Sequence, residues 1–222
     1  MNDHSACIIR YDCARDGSSK KTDLEVVLVA VQHSPNPRER ILAAARQLFG
    51  SQGFHQTPMS ELATVAEVSV GQIYRLFKDK KDVILAIVAN DSKSKSDAFD
   101  DLLQSVNDGT ISIEEGFTYL AMRSLAGMDE SLSFEILAEG YRNPDVGDQI
   151  GVICEHYRSI VRRMVLIANP NLSGQNLEGA EEVLLGLMFG LGHRTLSRPL
   201  LPIRETAEQT SRLIMAALTD RD

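Results

Sequence analysis

The chain has 222 residues and a formal charge of −8, with 43% apolar and 24% charged side chains. That balance is too apolar for a disordered chain, and 15 glycines with 7 prolines are too few for collagen or low complexity. Uninterrupted apolar runs such as Val26–Val31 are far below the roughly 18 residues of a membrane span, so no membrane association is expected. Tryptophan is absent and aromatics are 5%, so the core must be built from Leu, Ile, Val, Ala and Met, which suits packed helices.

Cys7, Cys13 and Cys154 show no zinc-like pairing, and a reduced cytoplasmic protein without metal or cofactor is the expectation. The charge is uneven. Residues 35–95 hold nine basic and six acidic groups, whereas residues 96–222 hold ten basic and twenty acidic ones. A basic segment on an acidic body is suited to engaging an anionic partner locally.

In chain order, residues 1–35 mix Gly17-Ser18-Ser19-Lys20-Lys21 with the β-branched run at Val26 and end in Ser34-Pro35. They read as a poorly ordered N-terminal arm, with a native start further downstream as an alternative. Asn36-Pro37-Arg38-Glu39 has the form of a helix start: a capping Asn, Pro in the first turn and Glu three residues after the cap. Ile41, Leu42, Ala45, Leu48 and Phe49 follow at helical spacing, and Gly53 closes the helix. A short second helix starts at Thr57-Pro58. After Glu67 and Val68, Ser69 caps a third, with Gln72 in position to complete the box. Asp79 caps a fourth.

Beyond residue 96 the pattern stays helical. Ser112 and Glu115 form another capping box, leading into a stripe through Phe117, Leu120, Leu125 and Met128. Further helices are expected at about 131–142, to Ala168, over 176–197 and over 202–219. The fold class is all-α with about nine helices.

Two short helices joined by a tight turn and preceded by a supporting helix are the parts of a helix-turn-helix. The second can place its N-terminal residues in a DNA major groove. The stretch Arg40 to Ala86, R-I-L-A-A-A-R-x-L-F-x-x-x-G-F…T…S-E-L-A…V-S-x-G-x-I-Y-x-x-F-x-x-K-x-x-V, resembles the DNA-binding domain of the TetR family of transcriptional regulators. The resemblance implies three segments: the arm at 1–35, a helix-turn-helix domain at 36–82, and a helical effector-binding and dimerisation domain at 83–222. It also implies that Ser69–Phe77 is the recognition helix, with Gly71 and Gln72 near bases and Val70 and Arg75 beside them. Ser69 caps that helix. Tyr74 and Lys80 align with phosphate-contacting positions, and Thr57 and Ser60 sit where the preceding helix meets the DNA backbone. Chemistry agrees, since Gln pairs with adenine, Arg with guanine, and Val can touch a thymine methyl. Two departures stand out: Glu67 occupies the turn where the family commonly has Gly, and Gln72 and Leu76 replace a frequent Thr and His. If the turn needs a positive φ, Glu fits worse than Gly.

The same resemblance implies a homodimer on a palindromic double-stranded operator, released by a small-molecule effector. Its interface would use Val183, Leu184, Leu187, Met188 and Leu191, with Leu213 and Ala217 of the last helix. The effector pocket would draw on Phe117, Met122, Phe134, His156, Tyr157, Met188, Phe189 and His193, most of which are also ordinary core candidates by spacing. One alternative keeps the DNA module and gives the body a protein partner. An all-α enzyme is the other, and no catalytic fingerprint or catalytic residue stands out for it.

Overall fold

In the computed structural model, the Asn36 side chain accepts the Glu39 N–H while Glu39 accepts the Asn36 N–H, both at 3.0 Å. This reciprocal cap starts α1 (Pro37–Gln52), which ends where Gly53 takes φ +92°. The structure describes residues 35–126 and 129–219, apart from the side chains of 92–97. The expectations for residues 1–34 and for Met128 lie outside that range.

After α1 come α2 (Met59–Val65) and α3 (Val70–Leu76), then a long α4 (Lys80–Asn107) capped by Asp79. The body continues with α5 (Ile113–Leu125), α6 (Glu130–Arg142), α7 (Pro144–Ala168), α8 (Gly174–Gly192) and α9 (Ile203–Thr219). A 3-10 turn, Thr195–Ser197, separates the last two. The described residues therefore hold nine α-helices and no strand. Ser112 and Glu115 close the box that starts α5, and Asn143 with Pro144 starts α7.

One boundary differs from expectation. The helix expected to run to residue 197 stops at Gly192. His193 turns its ring back on the helix: Nδ1 donates to the Phe189 carbonyl at 2.8 Å, and Nε2 lies 2.8 Å from Ser133 Oγ on α6. His193 is the residue that ends the helix, its backbone N–H donating to the Gly190 carbonyl at 3.2 Å.

Two apolar clusters hold the chain together. The first joins α1, α2, α3 and the start of α4, and is completed by Leu132 and Ile136 of α6 and Val146 of α7. Ile41, Phe49, Leu62 and Ile73 are fully buried in it, each worth about 1.5–3 kcal/mol of transfer free energy. The second joins the far half of α4 with α5, α7, α8 and α9 around Phe117, Ile160 and Met164. Residue 82, the expected domain limit, lies in the first turn of α4, so one continuous helix runs from one cluster into the other. α6 and α7 cross closely at Gly140 and Gly147. A Cβ on Gly147 would come within 2.8 Å of the Gly140 carbonyl oxygen.

Candidate nucleic-acid interface

α3 is held from below by Ile73, fully buried, and by Phe77, which ends it. Ser69 caps it, accepting from the Gln72 N–H at 3.1 Å. The reciprocal bond from the Gln72 side chain is not formed, so that carboxamide has no partner among the described residues. Its free donor and acceptor are what a bidentate contact to a base edge requires. Val70, Gly71, Tyr74 and Arg75 are exposed, with Tyr74 53% accessible. Nothing lies within 4 Å of where a Gly71 Cβ would stand, so that part of the helix surface is open to close approach. Ser60 is exposed on α2. These seven predicted residues are thus brought to one helix pair.

The turn between α2 and α3 does need a positive φ. Glu67 sits at +52°, a left-handed conformation that glycine would adopt without steric cost. Its carboxylate stays 83% exposed and lies 3.8 Å from Arg40 Nη1, so its charge points away from the protein interior.

Two assignments must be corrected. Thr57 is 1% exposed, and its hydroxyl donates to the Gly53 carbonyl at 2.9 Å. Its side chain closes the loop after α1 and is not presented to a partner. The Lys80 ammonium donates to the carbonyls of Phe54 at 2.5 Å, His55 at 3.2 Å and Thr57 at 3.0 Å, and lies 4.8 Å from the centre of the Phe54 ring. All three of its protons are used, so no donor is left for a phosphate. Burial lowers its pKa, against the opposing pull of Glu139.

The same loop is gripped from α6. The Phe54 N–H donates to Glu135 Oε2 at 2.8 Å, and His55 Nε2 lies 3.1 Å from Glu139 Oε2 without hydrogen-bond alignment. Glu139 is buried. Sequence reasoning missed both positioning residues. Their i,i+4 spacing was visible, but nothing local says which surface that face meets.

The expected pocket residues fall into separate groups. The Phe134 and Phe189 rings flank His193, with centroids at 4.9 and 4.3 Å, while Met188 Sδ lies 3.5 Å from Ser124 Oγ. Phe134 and Phe189 are largely exposed. Tyr157 meets the edge of Phe99 at 5.3 Å, beside His156, whose Nε2 is buried with no hydrogen-bond partner among the described residues. Burial pushes the Tyr157 phenol up to about 12. Met122 is half-buried, and Phe117 is sealed in the second core. A cavity of about 370 Å³ between α5 and α9 is lined by Ser112, Glu114, Glu115, Thr118, Glu208, Ser211 and Arg212, none of them a predicted pocket residue.

On the expected interface, Val183 and Leu213 are 70% and 71% exposed, and Leu187 and Ala217 are also exposed. Met188 and Leu191 are half-buried. Leu184 is a correction: it points the other way on α8 and packs in the second core. Gly179, Gly186 and Gly190 share the outer face of α8 with Val183 and Leu187, and each has open space where a Cβ would be. No helix of the described residues is long and apolar enough to cross a membrane.

These features define a helix-turn-helix protein with an all-α body. Residues 41–87 match the family of bacterial regulatory proteins, tetR family. The chain is 31% identical over 109 residues to the HTH-type transcriptional regulator UidR of Escherichia coli K12, a stretch that is 49% of this chain and 54% of UidR. It thus spans about half the length of the curated relatives it matches. Its fold superposes on a transcriptional regulator FadR from Bacillus subtilis in complex with stearoyl-CoA, with TM-score 0.64 and 17% identity, covering 80% of this chain and 97% of that one. A transcriptional regulator from Saccharomonospora viridis in complex with choline gives TM-score 0.64 at 22% identity, covering 80% and 94%. Residues 41–87 are thus similar to the tetR family of bacterial regulatory proteins, and the fold of the body is similar to that of the solved regulators.

Proposed function

We propose that the chain is a DNA-binding transcriptional regulator, a repressor that binds a palindromic operator as a dimer and is released by a small-molecule effector. The observation that carries this is the outer face of α3, where the Gln72 carboxamide has no partner among the described residues and Val70, Gly71, Tyr74 and Arg75 stand open beside Ser60 of α2. Gln72 and Arg75 read base edges, Val70 touches a thymine methyl, and Tyr74 and Ser60 contact the backbone. Ser69 holds the helix N-terminus in shape for that approach.

One module makes too few contacts for a specific operator, and two related by a two-fold axis read two half-sites. The uncovered apolar stripe of α8 and α9 supports this pairing. Glycine inside a helix costs roughly 1 kcal/mol relative to alanine, and three on one outward face are explained by close approach of a second helix. Effector binding shifts the population toward a conformer whose recognition helices are mis-spaced, and it does so only by binding that conformer more tightly. The stearoyl-CoA and choline complexes of structural relatives support a ligand in the body.

The test is fluorescence anisotropy with a fragment of the promoter upstream of the protein's own gene. Binding at low ionic strength that weakens steeply with salt is expected. Gln72→Ala should change base preference; no binding at all by the parent chain overturns the proposal, and an unaltered preference in Gln72→Ala overturns the base contact assigned to Gln72.

A further inference from the structure

The segment 35–95 owes its basic character to nine cations, and the seven whose side chains are described divide into two sets by what already neutralises them. Arg46 is bound by both carboxylate oxygens of Asp91, Lys81 by Asp145 at 2.6 Å, and Arg40 lies 3.8 Å from Glu67. Lys80 is spent on three backbone carbonyls. Arg38, Arg75 and Lys78 are different: each is exposed, and none has an acidic partner for its side chain among the described residues, although the Lys78 backbone N–H donates to Asp82 Oδ2 at 2.9 Å.

Their placement is specific. The Arg38 guanidinium carbon stands 5.5 Å from the centre of the Phe77 ring, and Phe77 is the residue that ends α3. Lys78 follows Phe77 directly, and Arg75 lies in the last turn of α3. Residues distant in sequence therefore put three cations whose side chains form no ion pair among the described residues around the C-terminal end of one short helix. Packing over an aromatic face holds the Arg38 side chain without consuming its N–H donors.

We infer that Arg38 and Lys78 form a phosphate clamp at the exit of the recognition helix, and that Lys80 is an internal brace outside the DNA contact. This inference rests on the DNA-binding reading. With the N-terminal residues of α3 against the bases, its C-terminal end emerges beside a sugar-phosphate strand, where phosphate contacts set register without reading sequence. Arg38 supplies a planar fork and Lys78 a point charge.

The experiment measures affinity for the promoter fragment and for unrelated duplex DNA over a range of salt concentrations. The proteins are the full-length chain and its Arg38→Ala, Arg38→Lys, Lys78→Ala and Lys80→Ala variants, with a melting curve for each. Each phosphate contact contributes about 0.9 to the slope of log K against log salt, so a two-fold dimer loses about 2 with Arg38→Ala or with Lys78→Ala. The loss should be equal on both DNAs, with melting unchanged, and Arg38→Lys should recover the slope. Lys80→Ala should lower the melting temperature and leave the slope alone. Salt-steep binding by the parent chain with unaltered slopes in Arg38→Ala and Lys78→Ala overturns the clamp and leaves the DNA reading standing. Absence of salt-dependent binding by the parent chain overturns both.

Discussion

Glu67 shows how a single backbone angle constrains a residue choice. At φ +52° a side chain with a Cβ is strained, and among the described residues the only ionic neighbour of Glu67 is Arg40 at 3.8 Å across an exposed surface, a contact worth little. Glu67→Gly should therefore stabilise the protein by about 1 kcal/mol, seen as a melting temperature raised by roughly 2–4 °C. No change would show that the turn carries no strain. Tyr157 makes a second case. Its phenol is raised to about 12 by burial, above the ordinary value of 10, so the folded state holds the proton more tightly than the unfolded one. Its contribution is fully present below pH 10 and is lost as pH rises toward 12. Denaturant titrations at pH 9 and pH 11 should show a fall in stability that Tyr157→Phe makes shallower. An equal fall in the variant would assign the effect to other groups.

At the scale of elements, α6 is the contact between the body and the loop that leads into the helix-turn-helix. Glu135 accepts the Phe54 N–H, Glu139 lies beside His55, and Lys80 ties the carbonyls of the same loop from below. Glu135→Ala leaves that N–H unpaired in a partly buried position, at a cost of about 1–3 kcal/mol in chemical denaturation. A loss below a few tenths would mean that water replaces the carboxylate freely. The α6–α7 crossing is equally exacting. Gly147→Ala places a methyl 2.8 Å from a backbone oxygen that cannot swing aside, so the helices must separate, costing about 1–3 kcal/mol. Gly71→Ala meets open space and should cost far less stability. The helix starts at Asn36, Ser69, Asp79 and Ser112 were all readable, because a cap is a local bond between residues three apart. The end of α8 at Gly192 was not, because His193, which follows it, meets Ser133, 60 residues away.

For the whole molecule, the proposed assembly places two basic faces on one duplex and keeps two acidic bodies away from it, which favours a fixed orientation of approach. If the stripe on α8 and α9 is the dimer contact, Leu187→Arg with Leu213→Arg puts charges into an apolar seam. Sedimentation should then report a monomer of unchanged fold and much weaker operator binding. A dimer that survives both changes would place the interface elsewhere. What the sequence determined by itself was everything carried by neighbours in the chain: the all-α class, most helix starts, the helix-turn-helix order and the strained turn, since helical period and capping act over a few residues. The tertiary structure decided which side chains remain available. Thr57 and Lys80 match a DNA-contacting pattern in sequence and are consumed by carbonyls of the folded loop, and Leu184 shares a helix with exposed Val183 and Leu187 yet turns inward. A hydrogen-bond donor serves one partner at a time, and that partner is chosen by packing between segments far apart in the chain.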